Sequence, residues 1–143
     1  MKQRYSRLKI FHYPEKLQSL PRDATKVLAP LHIRLKPTNY CPHNCRYCSY
    51  RSDTLQLGKD MAVRDYIPRA KMLEILEDLI AMKVQAVTFS GGGEPFSYPF
   101  LKDAAEVLSE SPVRFAALTN GSRLEGEPAA LFAAHGTWVR VSM

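Results

Sequence analysis

Leu31-His32-Ile33-Arg34-Leu35-Lys36 alternates apolar and polar positions, the period of a strand with one buried face, and Pro37 ends it. From Pro37 to about Tyr66 neither a helical nor a strand period can be followed. Pro68 then suits the first turn of a helix, where its missing N–H is not needed. Met72, Ile75, Leu76, Leu79 and Ile80 recur at i, i+3, i+4, i+7 and i+8, with Lys71, Glu74, Glu77 and Asp78 largely off that stripe, which predicts an amphipathic helix. Ala86 to Ser90 reads as a short apolar strand stopped by Gly91-Gly92-Gly93. Pro99 opens a second helix, with Leu101, Ala104, Ala105 and Leu108 on one side. Val113 to Thr119 is a third strand ending in the turn pair Asn120-Gly121. An Ala-rich helix is expected from Pro128 to His135 with Gly136 as its stop, and Trp138 to Ser142 as a fourth strand.

Strands alternating with helices in this way build a parallel sheet with right-handed crossovers, so the fold class is α/β with four strands and three helices. Parallel α/β architectures collect their ligand sites at the carboxyl ends of the strands. The distinctive stretches all fall there: cysteines after the first strand, glycines after the second, and Thr119-Asn120-Gly121 after the third. That shared location is the reason to read them as one site.

At 143 residues, 45% hydrophobic and 24% charged, the chain suits one domain with a buried core and is not a disordered or fibrous composition. No apolar run approaches the roughly 20 residues a membrane-spanning helix needs. Residues Met1 to Phe11 mix basic and apolar positions without the apolar core of a secretory signal. The net charge of +6 is unevenly placed: residues 1–36 hold nine basic and two acidic side chains, and the remainder holds eleven and twelve. Residues 1–30 are therefore read as a basic N-terminal extension and residues 31–143 as the body of the domain. Tyr5, Phe11, His12 and Tyr13 interleave with the basic charges, as in a nucleic-acid-binding arm. No recognised nucleic-acid module accompanies them, and a solvated extension is the favoured reading.

Cys41, Cys45 and Cys48 are the only cysteines. An odd, crowded set is no disulfide framework, and it points to metal ligation in a reducing, cytoplasmic setting. Thiolates bind zinc and iron–sulfur clusters alike. Three thiolates around a four-iron cube leave one iron open to a substrate or cofactor. The alternative is a non-catalytic zinc-binding interaction module in which His43 completes a Cys3His set, although His43 lies between two of the proposed ligands.

The Cys41-x3-Cys45-x2-Cys48 spacing, with aromatic Tyr47 before the last cysteine, resembles the motif of the radical S-adenosylmethionine (SAM) enzymes. Gly92-Gly93-Glu94 after the next strand resembles the second motif of that superfamily. The resemblance covers about residues 31–143. It implies that Cys41, Cys45 and Cys48 each bind one iron of a [4Fe–4S] cluster and that SAM chelates the fourth. An electron from a donor such as a flavodoxin or ferredoxin would then cleave SAM to methionine and a 5′-deoxyadenosyl radical, which abstracts hydrogen from a substrate. It further implies that Tyr47 lies near the adenine and that Gly92, Gly93 and Glu94 meet the amino end of SAM. Thr119, Asn120 and Ser142 would help to hold its ribose and carboxylate.

The core of that family is typically a six-unit partial (β/α) barrel. Four strands and three helices make this an incomplete barrel of the radical SAM type. The chain is accordingly read as the N-terminal portion of such a core, truncated after the fourth strand. A C-terminal partner chain is one way to complete it, and the catalytic activity of the isolated chain is in doubt.

Overall fold

The computed structural model describes residues 9–18, 28–51 and 58–142. The chain divides into two compact units, residues 1–30 and 31–143. In the first, a 3-10 turn at Lys9–His12 leads to helix α1, Pro14–Gln18. Lys16 Nζ donates to the Ala29 carbonyl at 2.8 Å. A helix of five residues is too short to show a period, which is why the sequence does not announce it. Phe11 is exposed, His12 and Tyr13 are half-buried, and Tyr5 lies outside the described residues.

The second unit runs β1 (His32–Leu35), α2 (Arg69–Ala81), β2 (Ala86–Phe89), a 3-10 turn (Pro95–Ser97), α3 (Leu101–Ser109), β3 (Arg114–Thr119), α4 (Gly126–His135) and β4 (Trp138–Val141). The four strands form one parallel sheet in the order β1-β2-β3-β4. Parallel neighbours cannot be joined by a tight turn, and α2, α3 and α4 supply the three crossovers. The alternation read from the hydrophobic pattern is the observed order.

Register divides the sheet into two faces. Val87 pairs with Phe115, and Phe89 with Ala117, so these side chains share one face at period two. The rings of Phe89 and Phe115 lie 5.9 and 5.0 Å from that of Phe132 in α4, which identifies their face as the helix-covered one. Met72, Leu76 and Leu79 of α2 and Leu101, Ala104, Ala105 and Leu108 of α3 are buried with them. The opposite face carries His32, Arg34, Thr88, Leu118, Trp138 and Arg140 by the same alternation. There His32 Nε2 and Thr88 Oγ1 are hydrogen-bonded at 2.8 Å.

The boundaries differ from expectation where a single proline or glycine carried the reading. Pro68 is the N-cap of α2, and Pro99 precedes the Phe100 N-cap of α3. Helix α4 starts at Gly126, two residues before Pro128. The first four N–H groups of a helix lack intrahelical partners, so proline fits anywhere in that turn and does not mark its first residue. Gly136 does end α4, but its φ is −68°, not left-handed. Its N–H donates to the Phe132 carbonyl at 3.0 Å, and a Cβ there would lie 2.4 Å from that oxygen. Close approach, not a positive φ, selects glycine at this stop.

Candidate functional site

Beyond β1 the chain stays paired although it has left the sheet. Ser90 N–H donates to the Leu35 carbonyl at 2.8 Å, Gly93 N–H to Thr38 at 2.9 Å and Glu94 N–H to Tyr40 at 2.7 Å. On its other side Thr38 bridges Tyr66 in antiparallel fashion, with Asn39 N–H donating to Asp65 and Ile67 N–H to Pro37. Residues 37–40 are thus held between the glycine loop and the segment before α2, and Cys41 emerges from that clamp. Gly93 is where the two segments touch: a Cβ would stand 2.1 Å from the Tyr40 carbonyl oxygen.

Glu94 is 2% exposed. Its Oε1 accepts the Phe96 N–H at 3.0 Å and the Thr119 hydroxyl at 2.5 Å, and its Oε2 accepts the Asn120 N–H at 2.7 Å. The first of these bonds caps the 3-10 turn at Pro95–Ser97. The other two pin the end of β3 to the end of β2. Thr119 Oγ1 in turn accepts the Gly121 N–H at 2.9 Å, and Gly121 has a φ of 82°. A side chain at that φ would be strained, so glycine suits the turn.

Asn120 Nδ2 donates to Cys41 Sγ at 3.4 Å, and its Oδ1 accepts both the N–H and the hydroxyl of Ser122. Ser142 N–H donates to the Thr119 carbonyl at 2.8 Å, so the end of β4 joins the same rim. The ends of all four strands therefore meet on one side of the sheet. Cys41, Glu94, Thr119 and Asn120 form a continuous hydrogen-bonded set there, Gly93 is tied next to it to Thr38, and Ser142 is attached through its backbone.

The rest of the cysteine loop is a turn carrying half-buried thiols. Cys48 N–H donates to Cys45, and Arg51 N–H to Cys48, each at 3.0 Å. All three thiols are free and partly accessible. Tyr47 projects outward at 72% exposure, and His43 is exposed as well. Arg51 folds back over the loop: Nη1 donates to the His43 carbonyl at 2.7 Å and Nη2 to that of Cys41 at 3.2 Å. Nothing in its sequence position separates Arg51 from an ordinary surface arginine. Among the described residues no group of three or more His, Cys, Asp or Glu side chains is arranged to hold one metal ion.

Donor chemistry is the test of fit for an iron–sulfur cluster. A mononuclear zinc site needs its ligands around one centre at bond distance. A four-iron cube takes each thiolate at a different corner, so its donors need not converge on a point. Three accessible thiols on one short loop, one of them already accepting an amide N–H at its sulfur, match the second requirement. The residues present fit the group.

The family model described as Radical SAM superfamily matches residues 35–143. No curated protein matches the chain. Among solved structures, Streptococcus suis SuiB bound to precursor peptide SuiA superposes with a TM-score of 0.62 at 21% identity, over 78% of this chain and 24% of that one. BtrN in an open conformation gives 0.61 at 18% identity, over 82% and 50%. BtrN in complex with AdoMet and 2-DOIA gives 0.59 at 18%, over 79% and 45%. The chain thus spans a quarter to a half of the length of these structures, and at such identities the likeness is one of fold. No helix among the described residues is long and apolar enough to cross a membrane.

Proposed function

We propose, since this chain belongs to the radical SAM superfamily, that Cys41, Cys45 and Cys48 hold a [4Fe–4S] cluster and that the strand ends beside them receive SAM. When bound, that pair supplies one-electron reductive cleavage of SAM and hydrogen abstraction from a substrate. The observation that carries the reading is the bonded rim linking Cys41, Glu94, Thr119 and Asn120, residues from three separate strand ends.

The work of the chain is to position and to shield. The 37–40 clamp fixes where the cysteine loop starts at Cys41, and Arg51 sets the path of that loop from Cys41 past His43. The Glu94 carboxylate already accepts three donors, so contact between this stretch and the amino end of SAM falls to the backbone of Gly92 and Gly93. Ser142 is exposed just beyond β4, where a polar group of SAM could meet its hydroxyl. Tyr47 stands outside the packed core, where an adenine could stack on it. SuiB was solved with a precursor peptide and BtrN with 2-DOIA. One shared core with ligands so unlike each other supports the view that substrate choice lies outside this sheet.

Anaerobic reconstitution of the chain with ferrous iron and sulfide tests the assignment. Brown protein with broad violet absorption and matched iron and sulfide is expected, and Ala at any of the three cysteines should abolish it. Colourless protein that retains zinc through purification would favour the zinc-module reading instead. Added SAM and dithionite should then yield 5′-deoxyadenosine, slowly for a chain that spans at most half of its structural relatives.

A further inference from the structure

Of the side chains at this rim, only the Asn120 amide points a donor at a cysteine sulfur among the described residues. Its orientation is fixed by chemistry. The Ser122 backbone N–H can only donate, and it lies 2.9 Å from one end of the amide, so that end is the oxygen. The Ser122 hydroxyl reaches the same oxygen at 2.6 Å. Nδ2 is therefore the end turned to Cys41 Sγ, at 3.4 Å. The backbone of Asn120 is held as firmly, since its N–H donates to the buried Glu94 carboxylate at 2.7 Å. A donor anchored at both its backbone and its far amide oxygen does not swing away when the charge on its partner changes.

On this basis we infer that Asn120 is a positioning residue that sets the reduction potential of the cluster through its hydrogen bond to the Cys41 sulfur, with Glu94 and Ser122 holding it in place. The inference rests on the cluster assignment proposed above and adds to it a role for a residue that the resemblance places only at the SAM carboxylate or ribose. Reduction adds one electron, supplied from outside the chain, and neither makes nor breaks a bond at Cys41. Negative charge on the sulfur ligands increases, and an N–H aimed at one of them stabilises the reduced state more than the oxidised one. The donor thus raises the potential, and its removal lowers it.

The test uses the full chain, reconstituted anaerobically, in the absence of SAM so that no SAM contact of Asn120 contributes. Potentiometry with dithionite as reductant, followed by EPR of the reduced cluster, is run on the parent and on Asn120→Ala, Asn120→Leu and Asn120→Asp. Asn120→Asp keeps an oxygen for Ser122 and loses the donor, which guards against a variant that merely unfolds. We expect all three to reduce at more negative potential, by about tenfold in the reduction equilibrium or 59 mV for one electron, with Asp shifted furthest by its charge. Ser122→Ala, which keeps the backbone N–H on Oδ1, should shift less. Variants that bind the parental complement of iron and reduce at the parental potential overturn the inference and leave the cluster assignment standing. A parent chain that binds no cluster overturns both.

Discussion

Thr119 Oγ1 donates to Glu94 Oε1 across 2.5 Å, joining the ends of two neighbouring strands through a carboxylate that solvent hardly reaches. Glu94 therefore does structural work in the apoprotein, whatever ligand its loop receives. Glu94→Gln turns one carboxylate oxygen into an NH2 group. Either orientation of the amide sets that NH2 against a donor, the Asn120 N–H or the pair from Phe96 and Thr119. A buried donor left without an acceptor costs about 1–3 kcal/mol, and urea unfolding of metal-free protein should show a loss of that size. Thr119→Val should also destabilise, since it removes one of the three bonds to Glu94 and takes the acceptor from the Gly121 N–H. Equal stability of Glu94→Gln and the parent would rule this role out.

The adjacent glycines are expected to behave differently from each other. At Gly93 a Cβ would overlap the Tyr40 carbonyl, and backbone cannot step aside without breaking the bonds from Gly93 to Thr38 and from Glu94 to Tyr40. Gly93→Ala should cost about 3 kcal/mol, the upper end for forced overpacking. At Gly92 the nearest atoms are Asn39 Oδ1 at 3.2 Å and Met61 Sδ at 3.3 Å, both on side chains that can give. Gly92→Ala should cost less than about 1 kcal/mol. Paired thermal melts followed by circular dichroism check the order, and a milder effect at Gly93 than at Gly92 would contradict it.

How much of this was legible follows from what leaves a period. Strands and crossover helices repeat their apolar positions over several residues, so the order from His32 to Val141 could be read directly. The Thr38–Tyr66 bridge is one residue pair, and the turn at Pro95–Ser97 is three residues, too short for any repeat. Spacing singled out Cys41, Cys45 and Cys48, because ligation of one object by one loop restricts the intervals between them. It marked Glu94 as a carboxylate, but a residue type does not say what it faces, and two of the three partners of Glu94 lie 25 and 26 residues away. Arg51 was missed for the same reason: its hydrogen bonds run to backbone carbonyls, which every residue possesses.

Tyr98 offers a pH test. Burial, with Asp103 and Tyr66 nearby, pushes its phenol up to about 12 from an ordinary 10.0, and its hydroxyl donates to the Ile67 carbonyl at 2.7 Å. The folded state holds the proton more tightly than the unfolded state. The contribution is therefore complete below pH 10 and is lost as pH rises towards 12. Tyr98→Phe should be less stable than the parent at pH 8, by about 1 kcal/mol for the missing hydrogen bond. The gap between the two should narrow as pH climbs from 10 to 12, because only the parent has this phenol to ionise. Urea midpoints for both proteins across that range measure it, and a gap that stays constant would show that the proton is not held.

Arg51 bridges two carbonyls with one planar guanidinium, which an ammonium at a single point cannot reproduce. Its bonds fasten the loop and leave the helix-covered core untouched, so the effect of its loss should be local. Arg51→Ala should raise amide hydrogen exchange at Cys48 and at position 51 itself by about tenfold, the scale of losing a charge-assisted hydrogen bond. Global stability in urea should change by less than about 1 kcal/mol, and Arg51→Lys should fall between Ala and the parent in exchange. Reconstituted Arg51→Ala should also give up its iron to a chelator faster than the parent, because the Cys41 end of the loop is no longer tied down. Exchange and iron retention that match the parent in both variants would show that the guanidinium rests on the loop without holding it.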